Sequence, residues 1–520
     1  MGSNATQGSS ATYVRSVRSA IAVAVSGLLA SCLFVPACAL AAEPVIGTAP
    51  TLQPSFSSSV PDYVTRCEPL GRVEVSVRAE GNPVSVDGAP AQTGNFVADV
   101  TLASGQAFAI QVGTGGSART YTVRCLPSAF PQYTAQIDGA RQAAYYLMTP
   151  CEDIPLAANP AHCYVAIFDS NGVPVWWYHP PQGIAVDADL DPNGDLSWAL
   201  DTGGYYAFGL PGRVRVEQRG LDGNLANVLG TSGTPTDFHE AWPLANGNFL
   251  ITSYVLQTEA PVLLSGKYVD TVDASFQEIE PDGSVAYSWS SAGRIGEAAS
   301  IDYPYTLFYY PGLTEHVWDW QHIDAVMPYK NGYLISLRQN NAVYYIEAAT
   351  GDVVWKLGGT QIPQSLKIIG DPHASQDLGS QHDVRAWPDG TVSVMDDGSR
   401  FVRPPRVVRF RINEGEQTAT LIETIADPSI RSSICCGSAR LLPGGDWVVA
   451  WGETRYVEEL TPASEVVFRL AFAPGYSTYR AVPILSEQLS LSSLIDAMNQ
   501  MHPLAPADVR AQGRLAFSRK

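Results

Sequence analysis

Between residues 130 and 485 the chain alternates apolar and polar positions over short runs. Gly, Asn, Asp and Pro cut the runs at regular distances. Alternation is the period of a strand with one buried face, and such cuts are what hairpin turns need. Two kinds of segment recur. One is a strand, an Asp/Gly turn and a second strand often ending in Trp, as in YVAIFDSNGVPVWWY at 164–178, FQEIEPDGSVAYSW at 276–289 and VYYIEAATGDVVWKL at 343–357. The other is a hairpin around a Pro- or Asn-Gly turn: AVDADLDPNGDLSWAL, HEAWPLANGNFLITSY, HIDAVMPYKNGYLISLR, HDVRAWPDGTVSVMDDG and GSARLLPGGDWVVAWG. Together they make a four-stranded unit, and radially stacked units of this kind form a β-propeller. The count predicts an all-β fold with a six-bladed β-propeller over 130–485.

The flanks read differently. Residues 61–128 hold further short alternating runs (GRVEVSVRAE, NFVADVTL, AFAIQVGT, RTYTVRCL) and predict a small N-terminal β-sandwich domain. Residues 43–60 are rich in Pro and Ser and predict a linker. SLSSLIDAMNQM, within 486–520, predicts one helix ahead of a basic tail. Residues 1–42 carry Arg15 and Arg18, an apolar stretch from Ala20 to Val35, and Ala39-Leu40-Ala41, the pattern of a cleavable signal peptide. Leu29-Ala30-Ser31-Cys32 also fits a lipobox, which would attach a lipid at Cys32. Both readings place the protein outside the cytoplasm: secreted, periplasmic or attached to the cell envelope, with a membrane link only through a lipid at Cys32.

Composition narrows the partners. Of 520 residues 45% are hydrophobic and 16% charged, and the 45 Gly and 37 Pro suit a turn-rich β protein. The net charge of −19 excludes nucleic-acid binding through a general basic surface, so any anion must be held by locally placed cations. In an oxidising compartment Cys67–Cys125 and Cys151–Cys163 are plausible disulfides, and Cys435-Cys436 is either a vicinal disulfide or two thiols. The sequence leaves the oligomeric state open, a homodimer included.

Aligning the hairpins on their turn glycines (Gly194, Gly247, Gly332, Gly390, Gly445) brings out the chemistry. Eight residues upstream lie Val186, His239, His382 and Gly437; His322 lies ten upstream of Gly332, where the turn is two residues longer. In a propeller these equivalent slots converge on the central channel, so three of the chain's eight His meet there. The remaining five (162, 179, 316, 373, 502) share no slot and are read as structural. Arg338 falls opposite His322 across the Lys330-Asn331-Gly332 turn, and opposed Cβ atoms lie roughly 5 Å apart. Three imidazoles and a guanidinium make a donor-lined pocket for a tetrahedral oxyanion. An imidazole is also a good nucleophile and leaving group, suited to covalent group transfer, with a second His as acid and base. Asp396 or Asp397, opposite His382, is placed to orient it. Arg338 argues against metal, and no cofactor is expected, although Asp383, Asp396 and Asp397 lie near enough in sequence to ligate one. Tyr205, Tyr206, Tyr254, Tyr303, Tyr305, Phe308, Tyr309, Tyr310 and Trp318 either pack the blades or line the mouth for a flat substrate. On the residues alone, a propeller lyase or hydrolase acting on an anionic polysaccharide, and a non-catalytic anion-binding propeller, stay open beside a transferase.

The segments DFHEAWPLANGNFLITS, QHIDAVMPYKNGYLISLR, TGDVVWKLGG and QHDVRAWPDGTVSVMDDG resemble the bacterial arylsulfate sulfotransferases, over about 130–480 and most strongly over 236–400. The resemblance implies a small N-terminal β-domain with a six-bladed propeller, and nucleotide-independent transfer of a sulfuryl group from an aryl sulfate donor to a phenolic acceptor. It implies His382 as the residue transiently sulfated in a ping-pong cycle. It further implies His239, His322 and Arg338 as the groups that hold the sulfate oxygens and shuttle protons.

Overall fold

The computed structural model describes residues 42–152, 160–203, 212–264, 267–296, 299, 307–309, 316–373 and 378–504. The expected signal peptide with Cys32, the aromatic residues Tyr205, Tyr206, Tyr303, Tyr305 and Tyr310, and the tail from residue 505 lie outside them. Among the described residues no helix is long and apolar enough to cross a membrane.

Six sheets built mainly of antiparallel strands follow one another in the repeat region. Sheet I orders Tyr476–Ile484, Tyr145–Glu152, Val165–Asp169 and Pro174–Tyr178. Sheet II runs Ile184–Leu190, Leu196–Asp201, Val214–Arg219, Leu225–Leu229. Sheet III is built on Thr236–Pro243, Phe249–Leu264 and Lys267–Ile279, with Val285–Ser290, His316–Asp319 and Leu307–Tyr309 added. Sheet IV is Ile323–Tyr329, Gly332–Leu337, Ala342–Glu347, Val353–Gly358. Sheet V is His382–Ala386, Thr391–Asp396, Arg406–Asn413, Thr418–Ile425 and Lys367–Ile369. Sheet VI is Ser438–Leu441, Trp447–Ala450, Tyr456–Leu460, Val466–Phe472 and, from far upstream, Tyr133–Ile137. The two ends of the region are thus interleaved. Tyr476–Ile484 pairs with Tyr145–Glu152, and Tyr133–Ile137 pairs with Val466–Phe472.

Many central strands are buried throughout, Val165–Asp169 and Gly332–Leu337 among them, because both faces are covered. The recurring Trp has a role in this packing. Its indole N–H reaches a neighbouring sheet: Trp176 to the Leu221 carbonyl at 2.8 Å, Trp289 to the Gly351 carbonyl at 2.9 Å and Trp355 to Glu414 at 3.0 Å. A large apolar ring with one donor at its tip both fills the seam and fixes its register.

The N-terminal part forms two sheets, Val45–Ala49, Arg72–Arg78, Asn95–Thr101 and Asp62–Thr65, Arg119–Cys125, Ala107–Val112, Val84–Val86. Here the structure departs from the expected linker at 43–60. Val45–Ala49 pairs antiparallel with Arg72–Arg78, since the run VIGTA supplies β-favouring residues to an open sheet edge. Cys67–Cys125 and Cys151–Cys163 are bonded, and so are Cys435 and Cys436. The helix Leu491–Met501, capped by Ser490, buries Leu494 and Met498. Asn499 accepts from Arg124 at 3.0 Å and Met498 Sδ from the Trp177 N–H at 3.5 Å, which ties the N-terminal sheets to sheet I.

Candidate active site

Five of the six sheets break register in a strand at one end of the sheet, between Val186 and Asp189, Thr236 and Ala241, Ile323 and Ala325, His382 and Arg385, and Thr478 and Ala481. A bulge sets two residues against one and bends the strand, a device common beside active sites. Consecutive residues are therefore buried together: Val186 with Asp187, His239 with Glu240, His382 with Asp383, Tyr479 with Arg480. Asp187 and Asp383 take φ of 55° and 53°, a left-handed conformation that Asp tolerates better than most residues.

The carboxylates at these bulges hold the sheets together. Asp187 Oδ2 accepts the Ala241 N–H at 2.9 Å, Glu240 Oε2 the Val326 N–H at 3.4 Å and Asp383 Oδ2 the Ala439 N–H at 2.7 Å. Each bond runs from one sheet to the next. Buried arginines balance the charge. Arg385 pairs with Glu240 at 3.1 Å and Asp383 at 2.8 Å, and Arg440 with Asp383. Arg480 pairs with Asp187 at 2.6 Å and Glu240 at 2.7 Å, and donates to the Asp324 carbonyl at 2.7 Å.

The imidazoles stand in these bulges or, for His322, one residue ahead of one. In each, Nδ1 meets a buried carboxylate: His239 with Asp237 at 2.7 Å, His322 with Asp319 at 2.6 Å, His382 with Asp397 at 2.7 Å. That leaves Nε2 for the site, and His239 Nε2 and His322 Nε2 stand 3.0 Å apart. A hydrogen bond between them needs an N–H on one ring and a lone pair on the other, which is the arrangement for passing a proton between the two rings. Tyr254 Oη steadies His322, lying 3.2 Å from its Nδ1 and donating to the Ile323 carbonyl at 3.2 Å.

His382 differs. The Cys436 N–H donates to its Nε2 at 3.2 Å. A backbone amide can only donate, so Nε2 carries the lone pair and Nδ1 the proton, facing Asp397 and, at 3.1 Å, the Ser380 carbonyl. Burial drives its pKa well below the ordinary imidazole range, and the charges of Arg338, His322 and His239 push the same way. Burial likewise lowers His239, against the pull of Asp237. Burial would raise the Asp237 carboxyl, but the adjacent His239 outweighs it and holds it low.

Arg338 lies where the hairpin register predicts. Its backbone N–H bonds the His322 carbonyl at 2.8 Å, and its Nη2 donates to the Ile434 carbonyl at 2.9 Å. The segment Ile434–Cys436, bridged by its own disulfide, therefore touches both Arg338 and His382. Asp397, not Asp396, holds His382; Asp396 pairs with Arg403 at 2.7 Å and Arg406 at 2.8 Å. The Gln of each Gln-His pair is a tie between sheets: Gln381 donates to Ser336 and to the Leu337 and Ala342 carbonyls, and Gln321 to the Ile295 carbonyl. Among the described residues no three His, Cys, Asp or Glu side chains are grouped to hold a metal ion. Sequence reasoning missed Asp237, Asp319, Cys436 and Tyr479. DFH and DWQH carried a usable signal for the first two, an Asp two or three residues before the His.

Two outcomes follow from this geometry. Asp397→Asn is expected to lower turnover on any substrate attacked by His382 by about 10²-fold, because the amide no longer enforces the Nδ1–H tautomer; steady-state rates check it. Acidification is expected to destabilise the protein through His382. As pH falls below about 6.5 the unfolded ring takes up a proton that the buried ring refuses, so stability drains away from there down to the folded pKa. Urea midpoints at about pH 7.5 and about pH 5.5 should fall less in His382→Asn than in the parent.

The family model described as arylsulfotransferase (ASST) matches residues 224–473. No curated protein matches the chain. Among solved structures, a protein of unknown function from Bacteroides caccae aligns at 12% identity, covering 66% of this chain and 99% of that one, with a TM-score of 0.39. A catalytically inactive virginiamycin B lyase from Staphylococcus aureus aligns at 11%, covering 64% and 87%, TM-score 0.32. The Cps50 (Swd1) β-propeller domain of Myceliophteria thermophila aligns at 10%, covering 66% and 89%, TM-score 0.32.

Proposed function

We propose, from the match of the arylsulfotransferase (ASST) family model to residues 224–473 and from the geometry of the site, that this chain transfers a sulfuryl group from an aryl sulfate to a phenol through a sulfohistidine at His382, without a nucleotide. The observation that carries this reading is the tautomer of His382, with its Nδ1–H on Asp397 and an Nε2 lone pair near Arg338, His239 and His322.

In the first half-reaction His382 Nε2 gives up the Cys436 amide and attacks the sulfur. The N–S bond forms as the sulfur–aryl-oxygen bond breaks. The leaving phenolate takes the proton held between His239 and His322, and Arg338 balances the sulfuryl oxygens. In the second, the oxygen of an acceptor phenol attacks the sulfur, the N–S bond breaks, and the phenolic proton returns to the His pair. Neutral His382 suits both halves, since only the neutral ring has a lone pair to offer and departs readily. Asp397 accepts the Nδ1–H, and that hydrogen bond strengthens as positive charge builds on the ring at each transition state.

This reading takes the six sheets as six blades around one channel, with the bulged strands lining it and the two N-terminal sheets as a β-sandwich. It also puts the chain in an oxidising compartment, consistent with its disulfides, with residues 1–42 as a signal peptide. Incubation with p-nitrophenyl sulfate, with and without phenol and with no nucleotide, tests it. Phenol-dependent release of p-nitrophenol is expected. Release at the same rate without phenol would mean a sulfatase, and no release from a panel of aryl sulfates would remove the transferase reading.

A further inference from the structure

Tyr479 occupies the slot in sheet I that His239, His322 and His382 occupy in sheets III to V. It stands at the register break of Tyr476–Ile484, and Arg480 follows it as Glu240 and Asp383 follow their histidines. Its ring lies 6.0 Å from that of His239, nearly perpendicular to it, and 6.4 Å from Phe238, which itself stacks on His239 at 4.2 Å. The side chain is 2% exposed, and no described residue partners its hydroxyl. An unsatisfied buried hydroxyl costs stability, and phenylalanine would fill nearly the same volume without that cost. Phe238 shows that an apolar ring is accepted beside His239. The hydroxyl therefore makes no hydrogen bond with the described residues, and its ring lies beside His239 in a site built of anion-binding donors.

We propose that Tyr479 is a further member of this site and that its hydroxyl donates to an oxygen of the bound sulfuryl group. The proposal rests on the sulfuryl-transfer reading and names a contact within it. Burial raises the phenol well above its ordinary range, and Asp324, Asp187 and Glu240 add to this against Arg480, so the group stays a donor throughout the working pH range. No proton leaves Tyr479 in either half-reaction.

The test compares the full chain with Tyr479→Phe in two measurements: binding of inorganic sulfate by titration calorimetry, and kcat/KM for p-nitrophenyl sulfate. A hydrogen bond to a charged group predicts about a 10-fold or greater loss in both, with an unchanged or raised melting temperature. Equal sulfate binding in the two proteins, including none in either, overturns the proposal. So does a Tyr479→Phe protein that fails to fold, because the hydroxyl would then be structural. Unchanged kcat/KM and sulfate binding beside an active parent would sink the contact and leave the transferase reading standing. A parent that turns over no aryl sulfate, yet binds sulfate more tightly than Tyr479→Phe, would sink the transferase reading and leave the contact.

Discussion

His382→Asn is expected to fold like the parent and to release p-nitrophenol from p-nitrophenyl sulfate at least about 10³-fold more slowly. Asn is chosen because its amide can still donate to Asp397, which is fully buried and would otherwise lose a partner at 2.7 Å. The loss should appear in kcat as well as kcat/KM, since among the described residues no other imidazole is held by a carboxylate at one ring nitrogen and a backbone amide at the other. His322→Asn should cost less, within about the 10²–10⁴-fold that general acid–base groups contribute, because a proton from His239 or solvent can partly replace it. Similar losses for the two variants would move the covalent role away from His382.

Arg480→Met is expected to cost about 3–5 kcal/mol of stability, the penalty for leaving buried charges unpaired. Arg480 is the common partner of Asp187 and Glu240, which come from different sheets, and its own strand belongs to a third. Its removal sets two carboxylates against each other across the seam. Equilibrium urea unfolding, read at constant m, gives the number. The loss should shrink at lower pH. Burial, opposed by Arg480 and reinforced by Glu240, already sets Asp187 at about 7. Without Arg480 it rises further, so the folded state binds a proton that the unfolded state does not, and stability recovers as pH falls. Asp187→Asn should likewise recover part of the loss in the double variant, since the two residues are in contact. A cost below about 1 kcal/mol would mean that the network is held by packing and not by charge.

The period-2 pattern and its glycine turns made the strands readable, and the turn alignment brought His239, His322 and His382 to the bulged ends of neighbouring sheets. It also set Arg338 opposite His322, because a hairpin register follows from its turn alone. Tyr479 was hidden for a topological reason. Its strand is the last of the region and pairs with Tyr145–Glu152, more than three hundred residues upstream, so no local hairpin or turn glycine marks it. Asp237 and Asp319 do not follow from the hairpin register, because both carboxylates come from just before their histidines and not from the strand opposite. The contact between Cys436 and His382 joins neighbouring sheets, and nothing in a run of sequence states such a distance. Val45–Ala49 was lost to the Pro and Ser that follow it; its partner Arg72–Arg78 lies beyond the Asp62–Thr65 strand of the other sheet.

The most direct test of the account is the state of His382 during turnover. The protein is quenched at alkaline pH after brief exposure to p-nitrophenyl sulfate alone, digested, and the peptide spanning Gln381–Arg385 weighed. The account predicts an acid-labile addition of one sulfuryl group on His382, discharged when phenol is added before the quench. Turnover with no such adduct, or with the sulfuryl group on His239 or His322, would contradict it.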